Sequence, residues 1–124
     1  MTQTSKSIWQ TLCEASDLVR EAGIATWTDQ GPRALFYLPD TEQQLYAIGH
    51  YDPIGGANVL ARGIVGDIKG EPVVASPLYK QHFRLLSGTC LEEPTQGVPT
   101  YPVRLRDGRV EIDLSGRQLA SAAA

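Results

Sequence analysis

Strand signals dominate this chain, as many short runs separated by turn residues. Between the Gly, Pro and Asp clusters lie short runs rich in β-branched and aromatic residues. These are Ile24 to Thr28, Arg33 to Leu38, Gln44 to Ile48, Glu71 to Ala75 and His82 to Leu86. Runs of this length and composition read as strands. Pro39-Asp40 stops the second run and Ser87-Gly88 the last. Val103 to Arg106 and Arg109 to Leu114 flank Asp107-Gly108, a strong two-residue hairpin signal because Gly accepts positive φ. Ser7 to Cys13, with Ile8, Trp9 and Leu12, adds another strand. The spacing predicts an all-β fold, antiparallel sheets in a sandwich or partial barrel. One helical turn is expected, with Ser16 capping Asp17 to Ala22 and Gly23 stopping it. Trp9, Trp27, Phe36, Tyr46 and Phe83 fall on strand-like segments and are assigned mostly to the core.

With 124 residues the chain suits one domain, placed at 6–115, with loose ends at 1–5 and 116–124. Hydrophobic content of 42% against 20% charged residues excludes a disordered chain. A net charge of −3 argues against a general nucleic-acid binder. No apolar run approaches the roughly 20 residues of a membrane helix. Met1 to Ser7 is polar, without the apolar stretch of a signal peptide, so a cytoplasmic location is expected. Cys13 and Cys90, far apart, are then expected as free thiols.

Catalytic and cofactor motifs fail on context. Ser76 lacks a Gly-x-Ser-x-Gly setting, and neither cysteine has a C-x-x-C neighbour. His50, Asp52 and His82 could ligate a metal, but neither histidine has a paired His or Cys two to four residues away. Gly55-Gly56, with Gly63, Gly66 and Gly70 nearby, is followed by no long helical pattern, so no dinucleotide site is expected. Glu92-Glu93 before Pro94 reads as a solvated loop.

Two loops remain: Asp52-Pro53-Ile54-Gly55-Gly56-Ala57, and Ser76-Pro77-Leu78-Tyr79 running on to His82-Phe83 and Ser87-Gly88. Together they resemble the frame of a Rieske ferredoxin, in which Cys-Pro-His and Cys-Pro-x-His loops hold a [2Fe–2S] cluster. Pro53, Pro77, Phe83 and Gly88 match in place, and the first loop is one residue longer. The four ligand positions hold Asp52, Ile54, Ser76 and Tyr79. The resemblance implies a Rieske-like fold whose cluster-binding tip is vestigial, with no cofactor in this chain.

Among Rieske-like proteins, the chain is similar from about Trp9 to Asp113 to the small subunits of assimilatory NAD(P)H-dependent nitrite reductase. Tyr51-Asp52-Pro53, Gly55 to Leu60, Arg62 to Asp67 and Glu71 to Lys80 carry that similarity. It implies an accessory subunit, not catalytic alone, beside a large subunit bearing FAD, siroheme and an iron–sulfur centre and reducing nitrite to ammonium. The retained tip is then the expected docking end, with Tyr79, Lys80, His82 and Arg62 as contacts. Arg62, Lys69, Lys80 and Arg84 are expected to place positive charge around it. Two alternatives stay open: a Rieske-like redox domain with an unusual centre, and a binding module for another oxidoreductase.

Overall fold

The computed structural model describes residues 9–116. In chain order the strands are β1 (Trp9–Glu14), β2 (Ala22–Thr28), β3 (Gly31–Tyr37), β4 (Leu45–Gly49), β5 (Tyr51–Asp52) and β6 (Ala57–Asn58). They continue with β7 (Ile64–Ile68), β8 (Glu71–Ala75), β9 (His82–Arg84), β10 (Thr100–Tyr101), β11 (Val103–Arg106) and β12 (Arg109–Asp113). Short 3-10 turns occupy Ala15–Asp17, Leu60–Arg62 and Leu114–Gly116. The fold is all-β, and the strands pair antiparallel within each sheet. Among the described residues no helix is long and apolar enough to cross a membrane.

A four-stranded sheet, ordered β10-β4-β3-β2, forms the middle layer. Side chains alternate across it, as the two-residue period of a strand requires. Ala34, Phe36, Tyr46 and Ile48 join one cluster with Leu60, Val74, Phe83 and Leu85. Leu35, Leu45, Ala47 and Tyr101 join a second with Val110, Ile112 and Leu114. The β7-β8-β9 sheet thus covers one face and the β1-β12-β11 sheet the other. Cover on both faces explains why the runs Ala34 to Leu38 and Leu45 to Ile48 are continuously apolar rather than alternating. Burying Phe36 and Phe83, each at 0% exposure, contributes roughly 1.5–3 kcal/mol apiece.

The expected strands form with boundary shifts of a few residues, and the Asp107-Gly108 hairpin forms with both turn residues at positive φ, 54° and 78°. The helical turn does not form. Ala15–Asp17 makes only a 3-10 turn, and β2 already begins at Ala22. The Glu21 N–H donates to the Tyr37 carbonyl, drawing this segment into the sheet. Gly23 is not a helix stop; it pairs with Phe36, whose ring, with the Ala61 carbonyl, occupies the space a Cβ would need. Trp27 is not core. It lies 71% exposed on the edge strand β2. Trp9 is half-buried, with the Arg104 guanidinium 3.8 Å from its ring centre. The β7 strand was not expected. Gly66 and Asp67 mask its pattern, yet Lys69 and Gly70, both at positive φ, close a two-residue hairpin into β8. Of the loose ends expected at 1–5 and 116–124, all but Gly116, which closes the last 3-10 turn, lie outside the described residues.

Candidate functional site

The β5-β6 hairpin and the Ser76–Gln81 loop between β8 and β9 meet at one end of the molecule. Asp52 closes β5 and is fully buried, and Ser76 is 1% exposed. Asp52 Oδ1 accepts the N–H groups of Ile54 at 2.8 Å and Gly55 at 2.9 Å. Its Oδ2 accepts the Ser76 hydroxyl at 2.5 Å. Ser76 Oγ in turn accepts the Leu78 N–H at 3.3 Å. One carboxylate therefore orders the first loop and ties it to the second, and every polar atom it needs is supplied. Ile54 packs half-buried against the core. Gly55 leaves space that the Leu78 side chain fills; a Cβ there would strike Leu78 and the Asp52 carboxylate. The second loop is closed by Ser76 N–H to the Gln81 carbonyl at 2.9 Å and Lys80 N–H to the Ser76 carbonyl at 3.0 Å. Lys80 sits at φ 65° to make that closure, a conformation costing a residue with a Cβ roughly 1 kcal/mol.

A Rieske [2Fe–2S] centre takes two thiolates on one iron and two imidazoles on the other. The residues at these positions do not fit it. Asp52 and Ser76 offer hard oxygen atoms already hydrogen-bonded to each other and to the backbone, and Ile54 has no donor. Among the described residues, no group of three or more His, Cys, Asp and Glu converges on a common point.

Tyr79 stands 66% exposed. Tyr51 and Leu78 are exposed beside Asp52 and Ser76 in the two loops. Lys80 and Arg62 are exposed as well. Two of the expected basic residues are elsewhere. Lys69 lies in the β7-β8 turn, at the end of that hairpin away from Ser76, and Arg84 Nε is held by Glu71 at 2.6 Å. His82 is half-buried and bound: Glu92 accepts its N–H at 2.8 Å and faces its Nδ1 at 2.6 Å. Burial raises the Glu92 carboxyl pKa, but the His82 hydrogen bonds outweigh it and hold the pKa below the ordinary range. Glu92, which reads as solvated in sequence, thus fixes the exit of the second loop. Burial pushes both thiols up, with Asp17 and Glu14 adding to the effect at Cys13, so neither is a primed nucleophile.

His50 follows β4 and is buried; its Nδ1 accepts the Ala61 N–H at 3.1 Å. Burial, then the nearby Arg62 charge, lowers its pKa below 6.5. A folded-state pKa below the unfolded one means the unfolded chain binds the proton better. The contribution of His50 is therefore complete above about pH 6.5 and is lost as pH falls toward the folded value. Melts from pH 8 to 5 should show this loss, with a slope from this one group of at most about 1.4 kcal/mol per pH unit. His50→Asn, whose Oδ1 can replace Nδ1 as acceptor, should flatten the profile above pH 5. An unchanged profile in that variant would assign the dependence to other groups.

Comparison with known proteins places this geometry. The family described as Rieske-like [2Fe-2S] domain matches residues 8–113. The nitrite reductase (NADH) small subunit of Salmonella typhimurium is 37% identical over 106 residues, 86% of this chain and 97% of that one. A protein named nitrite reductase [NAD(P)H] large subunit, from Klebsiella oxytoca, is 40% identical over 104 residues. That match spans 84% of this chain but only 11% of the Klebsiella protein. The solution structure of a nitrite reductase [NAD(P)H] small subunit from Erwinia carotovora superposes with a TM-score of 0.72, at 37% identity, covering 91% of this chain and 86% of that one.

Proposed function

Because this chain belongs to the Rieske-like [2Fe-2S] domain family, and within it to the nitrite reductase small subunits, we propose that it is a non-catalytic subunit that docks on a large nitrite reductase subunit. In this reading residues 6–115 form one domain. FAD, siroheme and an iron–sulfur centre reside in the large subunit, which reduces nitrite to ammonium with NAD(P)H in the cytoplasm. Hydride and multi-electron chemistry belong to such cofactors, and the small subunit supplies binding.

The observation that carries this reading is the tip. Its two loops are joined by the Asp52–Ser76 hydrogen bond, where a cluster-bearing relative would place metal ligands. The order that a cluster would impose is therefore kept by side chains, and the end that would face a redox partner still presents Tyr51, Leu78 and Tyr79. Exposed aromatic and apolar side chains on ordered loops suit an interface. The Klebsiella relative supports the partnership, because there a segment like this chain lies within a protein named as the large subunit. Docking alters turnover only if the contacts differ between states of the large subunit.

The test is reconstitution. The purified chain should carry no stoichiometric iron or acid-labile sulfide and should not oxidise NAD(P)H with nitrite. Mixed with the large subunit of its own organism, it should form a complex with altered nitrite turnover. Iron and sulfide in the pure chain after anaerobic preparation would favour a redox domain with an unusual centre. Failure to associate with an intact large subunit would favour a module for another oxidoreductase.

A further inference from the structure

We propose that the groove between the start of β3 and the segment leading into β10 binds a small oxyanion of one negative charge, of the carboxylate or nitrite type. The groove has a volume of about 260 Å³ and is lined by Arg33, His50, Tyr51, Asn58 and Tyr101 among others, with no acidic residue in its wall. Arg33 is the reason to assign an anion. It is 6% exposed, yet it takes part in no ion pair among the described residues. Its Nη1 donates to the carbonyls of Pro32 at 2.9 Å and Gln30 at 3.4 Å. Its Nε is buried without any partner. A desolvated guanidinium left without a counter-charge is costly, and an anion seated beside it removes that cost.

The surroundings favour a small ion of a single charge. The Arg33 guanidinium lies 4.4 Å from the centre of the Tyr101 ring, which fixes its plane. With Nη1 committed to two carbonyls and Nε closed off, Nη2 is the donor left to an anion in the groove. His50 adds a donor. Its Nδ1 accepts the Ala61 N–H, so the neutral ring carries its proton on Nε2. Arg62 is close enough to His50 to lower its pKa, so a second positive charge bears on this corner. The volume is too small for a nucleotide and sufficient for a small ion with water. The inference does not depend on the subunit assignment, since it rests on this chain alone.

Formate and nitrite, each exchanged for chloride at constant ionic strength, should be titrated into isotope-labelled protein. The Arg33 Nε–H resonance and the Gly49 and Tyr101 amides should shift saturably, and sulfate should bind more weakly than either. Arg33→Met removes the charge and the Nη2 donor and should weaken binding at least about tenfold, with its spectrum confirming the fold. His50→Asn, which keeps the acceptor for Ala61 but loses the Nε2 donor, should weaken it several-fold. Linear, unsaturable shifts, or equal affinity in folded Arg33→Met, would overturn the site. Repeating the titration on the complex with the large subunit identifies the source. Loss of formate binding there would assign the groove to a carboxylate side chain of the partner, and retained binding to a free anion.

Discussion

Asp52→Ala should destabilise the fold by about 3 kcal/mol, lowering the melting temperature by about 12 °C in a chain of this size. The substitution removes a fully buried carboxylate that accepts three hydrogen bonds. It leaves the Ile54 and Gly55 N–H groups and the Ser76 hydroxyl without their acceptor, and unsatisfied buried donors are the costly case. Asp52→Asn keeps an oxygen facing the two N–H groups and should lose less. Ser76→Ala strands only Oδ2 and should also lose less than Asp52→Ala. The double variant Asp52→Ala/Ser76→Ala should be less destabilised than the sum of the singles, because both remove the same 2.5 Å bond. Denaturant melts of the four variants test this. Additive losses, or a loss below 1 kcal/mol for Asp52→Ala, would show that the two loops hold their shape without this carboxylate.

Tyr79→Ala should weaken binding to the large subunit by about 2 kcal/mol, roughly thirtyfold in Kd, with the small subunit itself unchanged in stability. The two halves of that expectation come from one fact: the ring is 66% exposed and packs little against its own domain. Removing an exposed loop side chain costs the fold little, while removing an aromatic anchor at the centre of an interface costs affinity. Lys80→Glu, at the neighbouring exposed position, should chiefly slow association, and less so as salt rises. Titration calorimetry gives the affinities, and thermal melts confirm the fold. Equal affinity in both folded variants would move the docking face away from the tip. The exposed Trp27 on β2 would then be the next residue to replace.

Short-range chemistry was legible in the chain. The Asp107-Gly108 turn, the β8 strand over Glu71–Ala75 and the Pro-marked tip loops are set by residues within a few positions of one another. That Ile54 offers no metal donor was legible too, since its side chain is hydrocarbon in any fold. Trp27 and Gly23 were misread because their roles depend on partners distant in sequence. Trp27 has the composition of a core strand residue but sits on a sheet edge. Gly23 looks like a helix stop but yields space to Phe36 and Ala61. Glu92 was misread for the same reason, its partner His82 being ten residues away across a loop.

What the sequence determined by itself was the class of fold and the absence of thiolate and imidazole at Asp52, Ile54, Ser76 and Tyr79, because turn chemistry and side-chain identity act locally. What only the tertiary structure decided was how the tip is held and where charge remains unanswered. Asp52 and Ser76 are 24 residues apart and meet only when β5 and β8 are brought together. Arg33 becomes a buried charge only when Tyr101, nearly seventy positions later, closes over it. Burial and hydrogen-bond satisfaction are properties of the packed layers, and no spacing along the chain encodes them directly.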